Sequence, residues 1–229
     1  MNQQLIVEGS NDIHLISNLI VAKSLDIKGY ETKERYEQEF VSIGNGKKGA
    51  LKNLRTALKS DTARIGIIID ADSETENPAI DTWRSVANIL RQNGYQNVPA
   101  RPYAGGTIVS QEDKPQVGVW IMPDNQEQGY LEHFFEQLID NQDEFLGEAA
   151  AITEGFVQAN RNRFSAIHLQ KAKIKTWLAW QNDPELPMGL ALRDYARLGY
   201  ISLDTPLSNQ FIVWLQLTFD MKDTVRENI

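Results

Sequence analysis

Three carboxylates stand where chemistry is commonly done: Glu8 in Leu5-Ile6-Val7-Glu8-Gly9, and Asp70 and Asp72 in Ile67-Ile68-Ile69-Asp70-Ala71-Asp72. Each group follows directly on a run of apolar, largely β-branched residues, the pattern of a strand buried on both faces of a parallel sheet. Acids just beyond the carboxyl ends of such strands occupy the edge where open α/β sheets bind ligands. Gathered there, they repel one another unless a proton or a cation intervenes. Hard divalent ions prefer oxygen donors, so the set predicts a Mg²⁺ or Mn²⁺ site. Asp70 and Asp72 alternate along an extended backbone and point to one side, able to share an ion or to hold two. Glu74 continues the alternation into a polar loop, where a solvated charge is expected. Asp12, four residues after Glu8, is either a further ligand or a charge favouring the first turn of a helix, worth a few tenths to about 1 kcal/mol.

Positioning these acids takes alternating strands and helices. Gln4 to Glu8 reads as the first strand, Gly9 as a turn, and Ser10 as the N-cap of a helix reaching about Ser24, with Ile13, Ile16, Leu19 and Ile20 as its buried stripe. A strand over Phe40 to Ile43 ends at Gly44-Asn45-Gly46, and a helix over Lys47 to Lys59 comes after it. Arg64 to Asp70 is the clearest strand, and a helix over Ala79 to Asn93 comes next. Two more strands are expected at Ala100 to Tyr103 and Gln116 to Met122, with Gly105-Gly106 between them as a turn. Beyond Gly129 only helices are predicted, over Tyr130–Ile139, Gly147–Ala159, Ala166–Trp180, Leu190–Arg197 and Asn209–Phe219. The expectation is an α/β core over residues 1–140 with a mostly parallel sheet and right-handed crossovers. A helical extension over 141–229 packs on it as one compact unit.

Composition narrows the function classes. The chain has 229 residues, no cysteine and a formal net charge of −8. Thiolate nucleophiles, thiolate metal sites and disulfides are therefore excluded. No apolar run reaches the roughly 20 residues needed to cross a bilayer, and the N-terminus lacks the regions of a signal peptide, so a cytoplasmic address is expected. The acidic balance argues against a strongly basic nucleic-acid binder. Locally, however, Lys48, Lys52, Arg55 and Lys59 recur at helical spacing opposite Leu51, Leu54 and Leu58. Arg161, Arg163, Lys171, Lys173 and Lys175 form a second basic cluster. Both are either solvated helix faces or flanking contacts for nucleic acid. Gly44-Asn45-Gly46-Lys47-Lys48 is no phosphate loop, which would need Gly at Val41 and Ser or Thr at Lys48. His14, His133 and His168 show no zinc spacing, and the five tryptophans read mostly as core.

Val7-Glu8-Gly9 with Asp70-Ala71-Asp72, and Gly44 between them, resembles the Toprim domain of topoisomerases, bacterial-type primases and OLD-family nucleases. The acid four residues after Glu8 is similar to the OLD branch. Ile121-Met122-Pro123-Asp124-Asn125, Gly129-Tyr130-Leu131-Glu132, Lys171-Ala172-Lys173 and Thr176-Trp177-Leu178-Ala179 resemble segments of stand-alone Toprim proteins. The resemblance implies a Toprim-like, Rossmann-like fold binding one or two Mg²⁺ ions. Glu8 would serve as metal ligand or general base, Asp70 and Asp72 would hold metal, and Asp124 and Glu132 could add outer carboxylates. Glu132 is equally readable as a charge favouring a helix start. A downstream lysine would assist, with Lys173 the first candidate and Lys171 the second. The implied activity is that of a metal-dependent phosphodiesterase nicking DNA or RNA. A partner protein such as an ATPase is in view, because no ATPase segment is read in the chain. Strand passage is not expected, since no tyrosine-bearing domain accompanies the core. A non-catalytic metal, phosphate or nucleic-acid binding module is the alternative reading. An aspartyl phosphatase with Asp70 as nucleophile is a weaker one.

Overall fold

The computed structural model describes residues 2–25, 36–72 and 75–221. Glu74 lies outside the described residues. Five strands form one sheet: β1 (Gln3–Val7), β2 (Val41–Ile43), β3 (Arg64–Asp70), β4 (Thr107–Val109) and β5 (Gln116–Met122). Their order across the sheet is β2-β1-β3-β5-β4, and only β4 runs antiparallel to its neighbour. Among the described residues there are eight α-helices. These are α1 (Ser10–Ala22), α2 (Lys47–Ala57), α3 (Pro78–Gln92), α4 (Leu131–Glu136), α5 (Glu144–Gln158), α6 (Leu169–Ala179), α7 (Met188–Leu198) and α8 (Pro206–Phe219). The result is an α/β fold with a mostly parallel sheet flanked by helices. No helix is long and apolar enough to cross a membrane among the described residues.

Strand residues alternate between two apolar cores, as the two-residue period of a strand requires. Ile6, Ile65, Ile67, Ile69, Val117, Val119 and Ile121 pack with α2 and α3 on one face. Leu5, Val7, Ile68, Trp120 and Met122 pack with α1 and the later helices on the other. Both faces are covered, which explains why the strands are apolar throughout rather than alternating.

The C-terminal helices are part of this second layer. α8 lies so close under the sheet that a Cβ on Gly66 would come within 2.5 Å of the Phe219 ring. Trp83, Trp120, Trp177 and Trp214 are fully buried, as expected of core, whereas Trp180 is half-exposed.

Two expectations need correction. The strand anticipated at Ala100–Tyr103 is irregular, and the sheet edge is Thr107–Val109, beyond Gly105-Gly106. Pro99 and Pro102 deprive the earlier segment of two ladder donors. The N-cap of α1 is Gly9 rather than Ser10, and the carboxylate of Asp12 accepts the Gly9 N–H at 2.7 Å.

Candidate functional site

β1 sends its chain to β2 on one side, and β3 lies on its other side. The carboxyl ends of β1 and β3 therefore flank a switch point of the kind at which open α/β sheets bind ligands. Glu8 follows β1, and Asp70 ends β3. The Asp70 N–H donates to Glu8 Oε1 at 2.8 Å, so the two strand ends are tied together through the glutamate itself.

Two loops close around this point. The Gly44–Gly46 turn is stitched to β1, with the Gly44 N–H on the Val7 carbonyl (2.8 Å) and the Gly46 N–H on the Glu8 carbonyl (2.9 Å). On the other side Ala71 and Gly129 exchange both backbone hydrogen bonds, at 2.8 and 2.9 Å. That bridge carries the chain into α4 and turns Glu132 toward the acids. Gly129 has φ +157°, and a Cβ there would also press within 2.9 Å of the His133 ring.

The cleft so formed has a volume of about 280 Å³ and is lined by Glu8, Asp12, Asp70, Glu132, Lys171 and the Gly9-to-Asn11 turn, among others. Its electrostatics are those of crowded, desolvated acids. Burial, followed by the neighbouring carboxylates Glu8, Asp12, Asp72 and Glu132, pushes the Asp70 carboxyl up to about 9. Glu8 is raised to about 7, first by burial, although the Asp70 N–H and the Lys47 ammonium pull the other way. Asp12 is raised to about 6, again chiefly by burial. Glu132 is raised by burial against the pull of Lys171. The Asp70 carboxylate accepts no hydrogen bond and forms no ion pair among the described residues.

The other predicted residues are placed differently. Asp72 is half-exposed and ion-paired with Lys47, whose Nζ also reaches Thr82 Oγ1 at 3.3 Å. Asp72 is near enough to raise Asp70 and Glu8, yet it already has a cation. Asp124 does not join the cluster. Its Oδ1 accepts the Gln126 and Glu127 N–H groups at 3.0 and 2.8 Å, the work of a turn residue.

Lys173 likewise lies outside the cleft lining. Its Nζ is paired with Glu136 Oε1 at 2.7 Å, and Lys171, two residues earlier, lines the cleft instead. On α6 a step of two residues is about 200°, so the two lysines leave opposite sides of the helix. Lys48, Lys52 and Arg55 are exposed on α2, outside the cleft lining. Lys47 is not singled out by the sequence, because nothing local announces an ion pair spanning 25 residues.

The acidic groups of the cleft offer carboxylate oxygens, the donor type that hard cations prefer, with no thiolate or imidazole in the lining. Among the described residues, no three histidine, aspartate or glutamate side chains are drawn together into a finished ligand group. The acids surround the cleft rather than converge. A protein-family model described as "Protein of unknown function (DUF3226)" matches residues 2–220. No curated protein and no solved structure matches the chain.

Proposed function

The chain belongs to the DUF3226 family, and on that premise we propose that its acidic cleft is a Mg²⁺- or Mn²⁺-dependent site for phosphodiester hydrolysis in nucleic acid. The observation that carries this reading is the Asp70 carboxylate, without a partner among the described residues and crowded inside the cleft by Glu8, Asp12 and Glu132. A group in that state is stabilised by a proton or by a cation. The resemblance of Glu8, Asp70 and Asp72 to the Toprim acids supports the same conclusion, with Toprim proteins of the OLD branch as the analogy.

Asp70 and Glu8 would hold the ion, with Asp12 behind them. A divalent ion so placed supplies Lewis-acid activation of a phosphodiester. Glu8 is the alternative group to accept a proton from an attacking water, in place of ligating the ion. Lys171 brings positive charge to an otherwise acidic wall and would face the charge that develops on the phosphate oxygens. Lys47 holds Asp72 on the opposite flank, and Thr82 Oγ1 donates to the Asp70 carbonyl at 3.2 Å, fixing the strand end from behind. The exposed row Lys48, Lys52 and Arg55 would give sequence-independent phosphate contacts at the rim.

Supercoiled plasmid incubated with Mn²⁺ or Mg²⁺ tests the proposal directly. Wild type is expected to nick it, and Asp70→Ala to lose all nicking. Metal-independent nicking, or nicking undiminished in Asp70→Ala, would sink the assignment. The Asp72–Lys47 pair favours a second reading, a binding module without turnover, which would retain plasmid in a metal-dependent way and leave it intact. The two lysines separate in the same assay. Lys171→Ala should slow nicking by about 10²-fold, the usual cost of one charge-stabilising donor. Lys173→Ala, which breaks a part-buried pair outside the cleft lining, should leave nicking by the folded protein within about threefold, because its charge does not face the reacting phosphate.

A further inference from the structure

A second hollow of about 340 Å³ opens beside the acidic cleft and shares Asn11 and Glu132 with it. Ile174 and Leu178 of α6 form one wall, and Leu186, Pro187 and Met188, leading into α7, contribute another. Asn11, Lys175 and Glu185, all exposed, supply polar groups to the lining. Glu132, only 8% exposed, stands between the two spaces.

The volume is at the small end of ligand sites, roughly 300–1,000 Å³. Aliphatic walls give dispersion contact to a flat, weakly polar ring. A side-chain amide, an ammonium and a carboxylate together supply donors and acceptors suited to a heterocycle's edge. The hollow thus combines aliphatic walls with polar groups, Glu132 the most buried of them, and is directly adjacent to a site read as holding a phosphodiester.

We propose that this hollow receives the base of a nucleotide whose phosphate lies in the acidic cleft, so that the substrate is unstacked nucleic acid, including the locally melted stretches of a supercoiled plasmid, rather than relaxed duplex. The assignment rests on the phosphodiester reading of the cleft. A base inside a duplex cannot enter a side pocket of this kind without leaving its stack, so single strands, loops, melted stretches and frayed ends are selected. Asn11, whose amide both donates and accepts, is the residue placed to tell one base from another.

Neutral nucleosides (adenosine, cytidine, guanosine and uridine) test the pocket without recruiting the metal centre. Saturable binding is measured by NMR titration in EDTA, with wild type, Asp70→Ala, Leu186→Trp and Asn11→Ala compared. Wild type and Asp70→Ala are expected to bind alike. Leu186→Trp, which fills the hollow, should weaken binding by at least about tenfold, because the contacts it offers are then taken. Asn11→Ala, an exposed change with little bearing on folding, should alter the order of preference among the four bases. Absence of saturable binding to wild type, or binding untouched by both pocket variants, would overturn the proposal. Plasmid nicking without nucleoside binding removes the pocket and leaves the metal reading standing. Nucleoside binding without nicking supports the pocket and removes the metal reading.

Discussion

Asparagine in place of Asp70 is expected to raise the melting temperature of metal-free protein at pH 8 by about 5 °C and to abolish stabilisation by Mn²⁺. The reason is proton linkage. Asp70 has a pKa of about 9 in the fold against 3.8 as a free carboxyl, so the native state holds a proton that the unfolded chain has lost. A carboxyl raised in this way contributes stability that is fully present below pH 3.8. That contribution declines as pH climbs and is gone above about 9. Glu8 and Asp12, raised to about 7 and about 6, work in the same direction over the lower part of that window.

A tenfold change in proton affinity corresponds to about 1.4 kcal/mol, so Asp70 at full weight would lose about 5 kcal/mol between pH 5 and pH 9; reduced by about half for solvent screening, a loss of about 2–4 kcal/mol is the scale for the cleft. The neutral amide removes the charge that must be buried or protonated. A change of 1 kcal/mol moves the midpoint of a chain this size by about 2–4 °C, which gives the expected rise. Wild type alone should gain from Mn²⁺, by about 2.7 kcal/mol at a concentration one-hundredfold above Kd, and the gain should grow with pH as protons cease to compete. Thermal melts from pH 5 to pH 9, with EDTA or Mn²⁺, check every part of this. A flat profile for wild type, or an Asp70→Asn protein less stable at pH 8, would contradict the electrostatic account of the cleft.

The strand ends carrying Glu8 and Asp70 are legible in the sequence because a strand buried on both faces leaves an unmistakable apolar run, and an acid closing such a run has few structural excuses. β3 and β5 fall on the predicted residues for the same reason. β4 escapes a sequence reading because three residues at a sheet edge carry almost no pattern, and the prolines on their N-terminal side obscure it. Which lysine faces the acids is not legible. Lys171 and Lys173 sit in the same local sequence, and only the docking of α6 against α4, with Glu136 capturing Lys173, separates them. Asp124 misleads for a related reason. An acid after a buried strand looks the same in sequence whether it faces a cleft or caps a turn. Asp72 does stand beside the others, but its pairing with Lys47 is a tertiary fact that no spacing rule supplies.

Gly49 shows most clearly what a tertiary contact demands and a single sequence conceals, and Gly49→Ala is expected to be severely destabilising. Gly49 lies in the first turn of α2, a position where alanine would ordinarily favour the helix. A Cβ there would come within 1.6 Å of the Gly44 carbonyl oxygen, and a Cβ on Gly44 would come within 2.2 Å of the Ala50 nitrogen. In both cases the obstacle is backbone, which cannot swing aside as a side chain would. The Gly44–Gly46 turn cannot retreat cheaply, because its N–H groups bind the carbonyls of Val7 and Glu8. Asn45 and Gly46 already have positive φ, at 55° and 100°.

Relief therefore requires α2 or the turn to leave the end of β1, carrying Gly46 and Lys47 away from the acids. The cost should be about 3 kcal/mol or more, at the upper end for overpacking, and the melting temperature should fall by roughly 6–12 °C. Gly147→Ala is the matched control. It also lies within a helix, α5, but a Cβ there meets nothing within 4 Å. Relief of backbone entropy should then stabilise that variant by about 0.5–1 kcal/mol. The same substitution is thus expected to act with opposite sign at two helical glycines. Denaturant unfolding of both variants beside wild type decides it: a Gly49→Ala protein as stable as wild type would mean that the turn beneath the acidic cleft is not packed as described.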